Sequence, residues 1–248
     1  MRLARLPVCT LCAAFALAIS SQELRVARAH LTSPTASDAP HWAGAVLNAP
    51  AHTWQSITAS FTVPALRAPA EGDNARYAAS LWVGLDGDTC TRASLRSGVD
   101  MVISAGGASS YHAWWEWQPA ARGSFDDFDV APGDTITANV VADNVTGTSG
   151  TVILTNLRSG QSATRALLGT VPLCGRDAAW AVVEVVEVGR AEPLADFRSV
   201  TFTNAAAFGG MGIVGPENAK LVEIEQHGRV LTDVTVESGS VEVSYIGS

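Results

Sequence analysis

The chain has 248 residues, 47% of them hydrophobic and 16% charged, with a formal net charge of −8. That length fits one large domain or two small ones. The acidic balance repels nucleic acid and anionic membranes, and no P-loop or GxGxxG run supports nucleotide chemistry.

In chain order, the first element is an export pattern. Arg2 and Arg5 form a positive start, Leu6 to Ile19 is an apolar stretch of 14 residues, and Ala27-Arg28-Ala29 offers a small-residue cleavage site. A cut after Ser20 is the alternative. The apolar stretch falls short of the ~20 residues that a spanning helix needs. Residues 1–29 are therefore expected to be a signal peptide, which predicts a secreted, extracellular protein with no membrane contact after cleavage. The Ser/Thr/Pro/Ala-rich residues 30–40 read as a flexible leader. Cleavage after Ala29 removes Glu23 and four of the 16 basic residues, leaving 23 acids against 12 bases and a charge near −11.

From His41 onward the sequence reads as strands. Ile136 to Asp143, Thr151 to Leu157, Ala179 to Val188, Leu221 to Gln226 and Val241 to Ile246 are rich in β-branched residues. Turn chemistry separates them, at Pro132-Gly133-Asp134, Ser159-Gly160, Gly209-Gly210, Gly215-Pro216, His227-Gly228 and Ser238-Gly239. No segment beyond the signal holds a 3.6-residue apolar period for ten residues, so helices should be few and short. The pattern predicts an all-β, antiparallel sandwich or barrel occupying 41–248 as a single domain, expected to be a monomer. Asn144-Val145-Thr146 is a glycosylation sequon, informative only in a eukaryotic host.

Of four cysteines, Cys9 and Cys12 lie inside the signal, leaving Cys90 and Cys174. In an exported chain that pair reads as a disulfide, with two buried free thiols as the alternative.

Two stretches are unusually dense in tryptophan, carboxylate and glycine: SLWVGLDGDTCTRASLRSGVD from Ser80 to Asp100, and YHAWWEWQP from Tyr111 to Pro119. With HWAGAV near His41, SFTVPA at Ser60, GTSGTVILTNLRSGQS at Gly147, LCGRDAAWAVVEVVE at Leu173 and FRSVTFTNA at Phe197, they resemble the eqolisins, or glutamic peptidases, over about 200 residues. The resemblance implies a sandwich of two bent seven-stranded antiparallel sheets, similar to lectins and glucanases, with a substrate cleft on one face. It also implies acid endopeptidase activity without metal or cofactor. In that family a glutamate activates water and a glutamine amide holds the tetrahedral oxyanion, because the reaction needs a carboxylate base and a neutral donor.

Counting from the cysteines carries that dyad onto Arg96, six residues after Cys90, and Val183, nine after Cys174 and three after Trp180. Both catalytic types are replaced. Glu184 is the one rescue candidate, but strand parity turns it away from the face of Ala181, Val183 and Val185 unless a β-bulge intervenes. Trp82, Asp86, Asp100, Trp114 and Glu116 match the family's cleft pattern, and His112 stands where a carboxylate is common. Asp86 and Asp100 also fit a structural role as buried carboxylates that pin loops. Arg96 and Asp100 share a strand face, so Arg96 is expected to pair with Asp100, Asp86 or Glu116.

Three functions follow as expectations. The first is a non-proteolytic homologue binding an extended peptide, a protein or a glycan along Trp82, Trp114 and Trp117. The second is an acid endopeptidase with a shifted dyad using Glu184. The third is a glycoside hydrolase on the same architecture. His41, His52 and His227 lack metal-ligand spacing, and no GxSxG frame supports a serine nucleophile. Glu223-Ile224-Glu225 reads as a solvated strand face rather than a pair of glycosidase acids.

Overall fold

A computed structural model describes residues 41–70, 76–142, 147–183, 186–187, 190–226 and 228–247, with backbone only from 183 to 191. The signal and leader expected at 1–29 and 30–40 lie outside these residues, as do Asn144, Glu184 and His227.

The strands in chain order begin with β1 (Trp42–Asn48), β2 (Trp54–Thr62), β3 (Tyr77–Leu85), β4 (Ser94–Ile103), β5 (Ser109–Gln118) and β6 (Gly123–Ser124). Next come β7 (Thr135–Ala142), β8 (Ser149–Asn156), β9 (Ser162–Leu168), β10 (Asp177–Val183), β11 (Val186–Glu187) and β12 (Arg190–Ala191). The chain continues through β13 (Ser199–Gly209), β14 (Gly212–Val214), β15 (Lys220–Val222), β16 (Glu225–Gln226) and β17 (Arg229–Val230). It closes with β18 (Thr232–Glu237) and β19 (Ser240–Tyr245). The one helix among the described residues is a single 3-10 turn, Pro216–Asn218, as the lack of helical periodicity predicts.

Two antiparallel sheets result. The first has seven strands in the order β15-β1-β10-β3-β4-β5-β6. The second has eight, β18-β19-β13-β2-β7-β8-β9 with β14 added beside β13, one more than the resemblance implies. The extra strand comes from the glycine-rich turn at Gly209-Gly210, which lets the chain fold back on itself. Strand β7 shows why the second sheet forms. Ile136, Ala138 and Val140 are fully buried, while the alternate positions carry Thr135, Thr137 and Asn139.

The core lies between the sheets. Leu81, Val83, Leu95, Val99, Met101 and Trp180 from the first meet Ile57, Phe61, Ile136, Leu154 and Phe202 from the second. Phe61 and Phe202 pack edge to face with centroids 5.5 Å apart. The buried Trp180 places its Nε1–H on the Thr58 carbonyl at 2.9 Å, so the large ring is buried without an orphaned donor.

One strand expectation needs correction, and another falls partly outside the described residues. Of the run from Ala179 to Val188, the described residues form β10 up to Val183 and β11, which pairs with β12; residues 184, 185 and 188 lie outside the described residues. The run Leu221 to Gln226 breaks at Glu223-Ile224, because Ile224 turns into the core. The Glu223 carboxylate accepts from the Thr232 hydroxyl at 2.9 Å and the Val234 amide at 3.0 Å. It pins a strand junction and is not part of a solvated face.

Candidate functional site

Strand parity divides every strand of the first sheet between the core and the opposite, outer face. Cross-strand register arranges the outer residues in three rows. One runs Val46, Ala179, Gly84, Arg96, Glu116; the next Gly44, Ala181, Trp82, Gly98, Trp114; the third Trp42, Val183, Ser80, Asp100, His112. The middle strand, β3, is buried at all nine positions, so its outer face is covered as well as its inner one. Small residues make that cover possible. A Cβ on Gly84 would lie 2.4 Å from Cγ of Arg96 and 2.9 Å from the Leu95 carbonyl.

Arg96 lies across this space. Its Nη2 donates to Oε2 of Glu116 at 2.7 Å, with the two side chains only 16% and 11% exposed. The guanidinium carbon sits 5.1 Å from the centre of the Trp82 ring, within cation–π range. Burial lowers the arginine's pKa from its ordinary value; the Glu116 charge opposes that shift and the nearby Arg122 charge adds to it. Of the three partners expected for Arg96, the structure selects Glu116, directly across the β4–β5 ladder.

Asp100 is engaged by a different arginine. Nη1 of Arg122 donates to both its oxygens at 2.8 Å, and the Ser80 hydroxyl donates to Oδ1 at 2.5 Å. Trp114 donates from Nε1 to the same hydroxyl at 3.0 Å. The Arg122 guanidinium lies 3.7 Å from the Trp114 ring centre. Two of the three outer-face tryptophans, Trp82 and Trp114, thus carry one of the chain's own guanidiniums each, while Trp42 packs against Trp82 with ring centroids 6.2 Å apart. Ser80, Asp100 and His112 share a row, but Ser80 contacts the carboxylate and not the imidazole, so no nucleophilic triad is built.

Asp86 is not brought to Arg96. It stands at positive φ (62°) just after β3, and its carboxylate accepts the backbone N–H groups of Cys174, Gly175, Arg176 and Asp177. Burial raises its pKa, and those four hydrogen bonds only partly offset the rise. The chain answers reciprocally through Asp177, which lies in the LCGRDAAWAVVEVVE motif but had been given no role. Asp177 accepts the amides of Asp88, Thr89 and Cys90, the Thr89 hydroxyl and the Asn48 amide. Burial works to raise the Asp177 pKa, but the Thr89 hydroxyl and the other donors outweigh it and hold the group low. The Cys90–Cys174 disulfide ties the same two segments, with Cα atoms 6.1 Å apart. The sulfurs of Cys90 and Cys174 lie near the Asp86 carboxylate, but both are consumed by the disulfide and offer no thiolate to a metal.

Val183 holds its place opposite Trp42 and Ser80, and β10 pairs with both neighbours without a register shift through that residue. Nothing in β10 itself supplies a bulge ahead of Glu184. Trp117 does not lie with Trp82 and Trp114: it belongs to the core face and donates to the Val171 carbonyl at 3.1 Å. Sequence reasoning missed Arg122, Ser80 and Asp177. Only Ser80 had a readable signal, its even spacing from Trp82 along one strand.

The architecture defines the class: a two-sheet β-sandwich whose first sheet presents a row of tryptophans and carboxylates on its outer face. The peptidase A4 family model matches residues 40–245, and the chain belongs to that family, the eqolisins. Aspergillopepsin-2 of Aspergillus niger is 40% identical over 223 residues, covering 83% of this chain and 77% of the relative. Scytalidopepsin B of Scytalidium lignicola is 28% identical over 215 residues, covering 83% and 78%. The crystal structure of scytalido-glutamic peptidase with a peptide-based transition state analogue superimposes with a TM-score of 0.72 at 28% identity, over 84% of this chain and 99% of that one. Among the described residues no helix is long and apolar enough to cross a membrane.

Proposed function

We propose that this chain is a non-proteolytic member of the glutamic peptidase family that binds an extended peptide on the outer face of its first sheet. The observation that carries the reading is the Arg96–Glu116 ion pair, 2.7 Å long and packed on Trp82. It stands at the position where the family resemblance expects a neutral glutamine. A guanidinium is a stronger donor than an amide, but Val183 stands where the activating carboxylate belongs, and an oxyanion holder without a base has nothing to stabilise. Losing a general base typically costs ~10²–10⁴ in rate. Two carboxylates of this face, Glu116 and Asp100, are each held by an arginine. A peptide is favoured over a glycan because the Trp82 and Trp114 ring faces, on which a sugar would stack, already carry Arg96 and Arg122. The export pattern of residues 1–29 supports a secreted protein, with residues 30–40 as a leader into the domain.

The test is cleavage of denatured casein at pH 2–4 by the wild type, Glu184→Gln and the double variant Arg96→Gln/Val183→Glu. The expected result is no turnover by wild type and recovery of turnover in the double variant. Wild-type cleavage abolished by Glu184→Gln would overturn the reading and establish the shifted dyad.

A further inference from the structure

A cavity of about 430 Å3 lies where the turn after β3 meets the segment entering β10, away from the rows of the outer face. His52, Thr91, Arg92 and Arg176 line it beside the Cys90–Cys174 disulfide. All four are exposed, and none of their side chains has a partner among the described residues.

That is out of keeping with the rest of the chain. Beyond residue 29 the acids outnumber the bases 23 to 12. Arg76, Arg96, Arg122, Arg158 and Lys220 each hold a carboxylate. Yet no carboxylate lines this cavity. The three aspartates of the adjoining segments are committed elsewhere. Asp86 is taken by four backbone amides, Asp177 by Asn48, Thr89 and the amides around it, and Asp88 by Lys220 and Asn48. Two accessible guanidiniums therefore share one space with no anion of the chain to answer them.

The backbone that carries them is fixed in advance. The disulfide and the two aspartates tie Thr89 and Cys90 to the run from Cys174 to Asp177. His52 stands at φ 63°, a conformation unfavourable for a residue with a side chain, and its N–H is held on the Cys174 carbonyl at 2.8 Å. A ligand meets walls that it need not order, which lowers the cost of binding. Two guanidinium forks, a hydroxyl and an imidazole supply donors from several sides. A planar carboxylate is filled by one fork, whereas the three terminal oxygens of a phosphate or sulfate monoester can engage both.

We propose that this cavity binds a tetrahedral oxyanion, the phosphate or sulfate group of a monoester, between Arg92 and Arg176, with Thr91 and His52 as further donors. The site is separate from the peptide-binding face and does not depend on that reading.

The experiment titrates the full chain by calorimetry, at low salt and neutral pH, with phenyl phosphate, phenyl sulfate and benzoate. These share a ring and differ in the anion. At least one ester is expected to bind about ten-fold or more tightly than benzoate, and the tighter ester identifies the source of the oxyanion. Arg92→Gln and Arg176→Gln should each weaken that ester about ten-fold, the loss of one charge-assisted partner. Arg198→Gln, at an exposed arginine just before β13, should leave its affinity unchanged. Should a cavity variant fail to fold, phenylglyoxal modification of the wild type gives the same reading. The ester should then protect Arg92 and Arg176, and not Arg198, in peptide mass maps. Equal binding of esters and benzoate overturns the proposal, as does an equal loss in Arg198→Gln. Absence of binding at millimolar concentration, or of protection at both cavity arginines, also overturns it and leaves the peptide reading standing.

Discussion

Arg96 and Glu116 illustrate how one substitution alters the demands on its neighbours. A neutral side chain at position 96 would leave Glu116 a nearly buried anion without a counter-charge, and a neutral residue at 116 would strand the guanidinium. Removing one partner from a buried pair costs more than removing both, because the survivor keeps its desolvation penalty without the attraction. Glu116→Met is therefore expected to destabilise the fold by about 2–3 kcal/mol. Arg96→Met/Glu116→Met should recover most of that loss, since methionines fill the space with no charge left over. Urea unfolding of the two single variants and the double variant measures the coupling. Additive costs would show that the pair contributes no interaction of its own.

At the scale of elements, the turn after β3 and the segment entering β10 hold each other through opposed aspartates. Their protonation differs in direction. Asp177 is held below its ordinary pKa, so it contributes stability at pH above the unfolded value of ~3.9, and that contribution is lost as pH falls through the folded value. Asp86 is raised, so its folded form takes up a proton more readily than the unfolded chain. Its contribution is greatest below the unfolded value and declines as pH rises through the folded one. Asp177→Asn should accordingly flatten the fall in Tm on the acid side, between about pH 4 and pH 2. Asp86→Asn should instead leave that window unchanged and remove the gain that appears above it, as pH falls from the raised folded value toward about 3.9. Thermal unfolding from pH 2 to pH 7 separates the two, and identical profiles would show that the aspartates do not titrate differently. Thr89→Val, which deletes the donor contributing most to holding Asp177 low, should move the acid limb toward higher pH.

The element scale also shows what the sequence could reveal. Strand β7 was legible because Ile136, Ala138 and Val140 alternate with polar residues, a period that only a half-buried strand explains. The shared face of Arg96 and Asp100 was legible for the same reason. Which carboxylate Arg96 would take was not, because the choice depends on the β4–β5 register, which is set by pairing and not by local pattern. Arg122 was invisible: it lies in a short connection with no periodicity, 22 residues from the Asp100 it engages. Asp177 was equally hidden, since most of its partners are backbone amides about 88 residues away, and backbone amides leave no mark in a sequence.

For the molecule as a whole, one end of the sandwich is tied three ways. The disulfide joins Cys90 to Cys174 across 84 residues, the paired aspartates join the same segments, and the loop before β2 donates from His52 to the Cys174 carbonyl and from Thr53 and Trp54 to that of Gly175. The last set links the second sheet to the first. A cross-link closing so long a loop stabilises by up to ~4–5 kcal/mol in the chain-entropy model. Here the folded ends stay together without it, because Asp86 and Asp177 hold them by eight hydrogen bonds. Cys90→Ser/Cys174→Ser should therefore fold, while losing stability through its freer unfolded chain. Combined with Asp177→Asn, the same cysteine changes should cost more than the sum of the separate losses, because each tie limits the damage from losing the other. A denaturant-unfolding cycle over the four proteins gives that coupling directly. A strictly additive result would mean that the disulfide and the aspartates restrain this end of the sandwich independently.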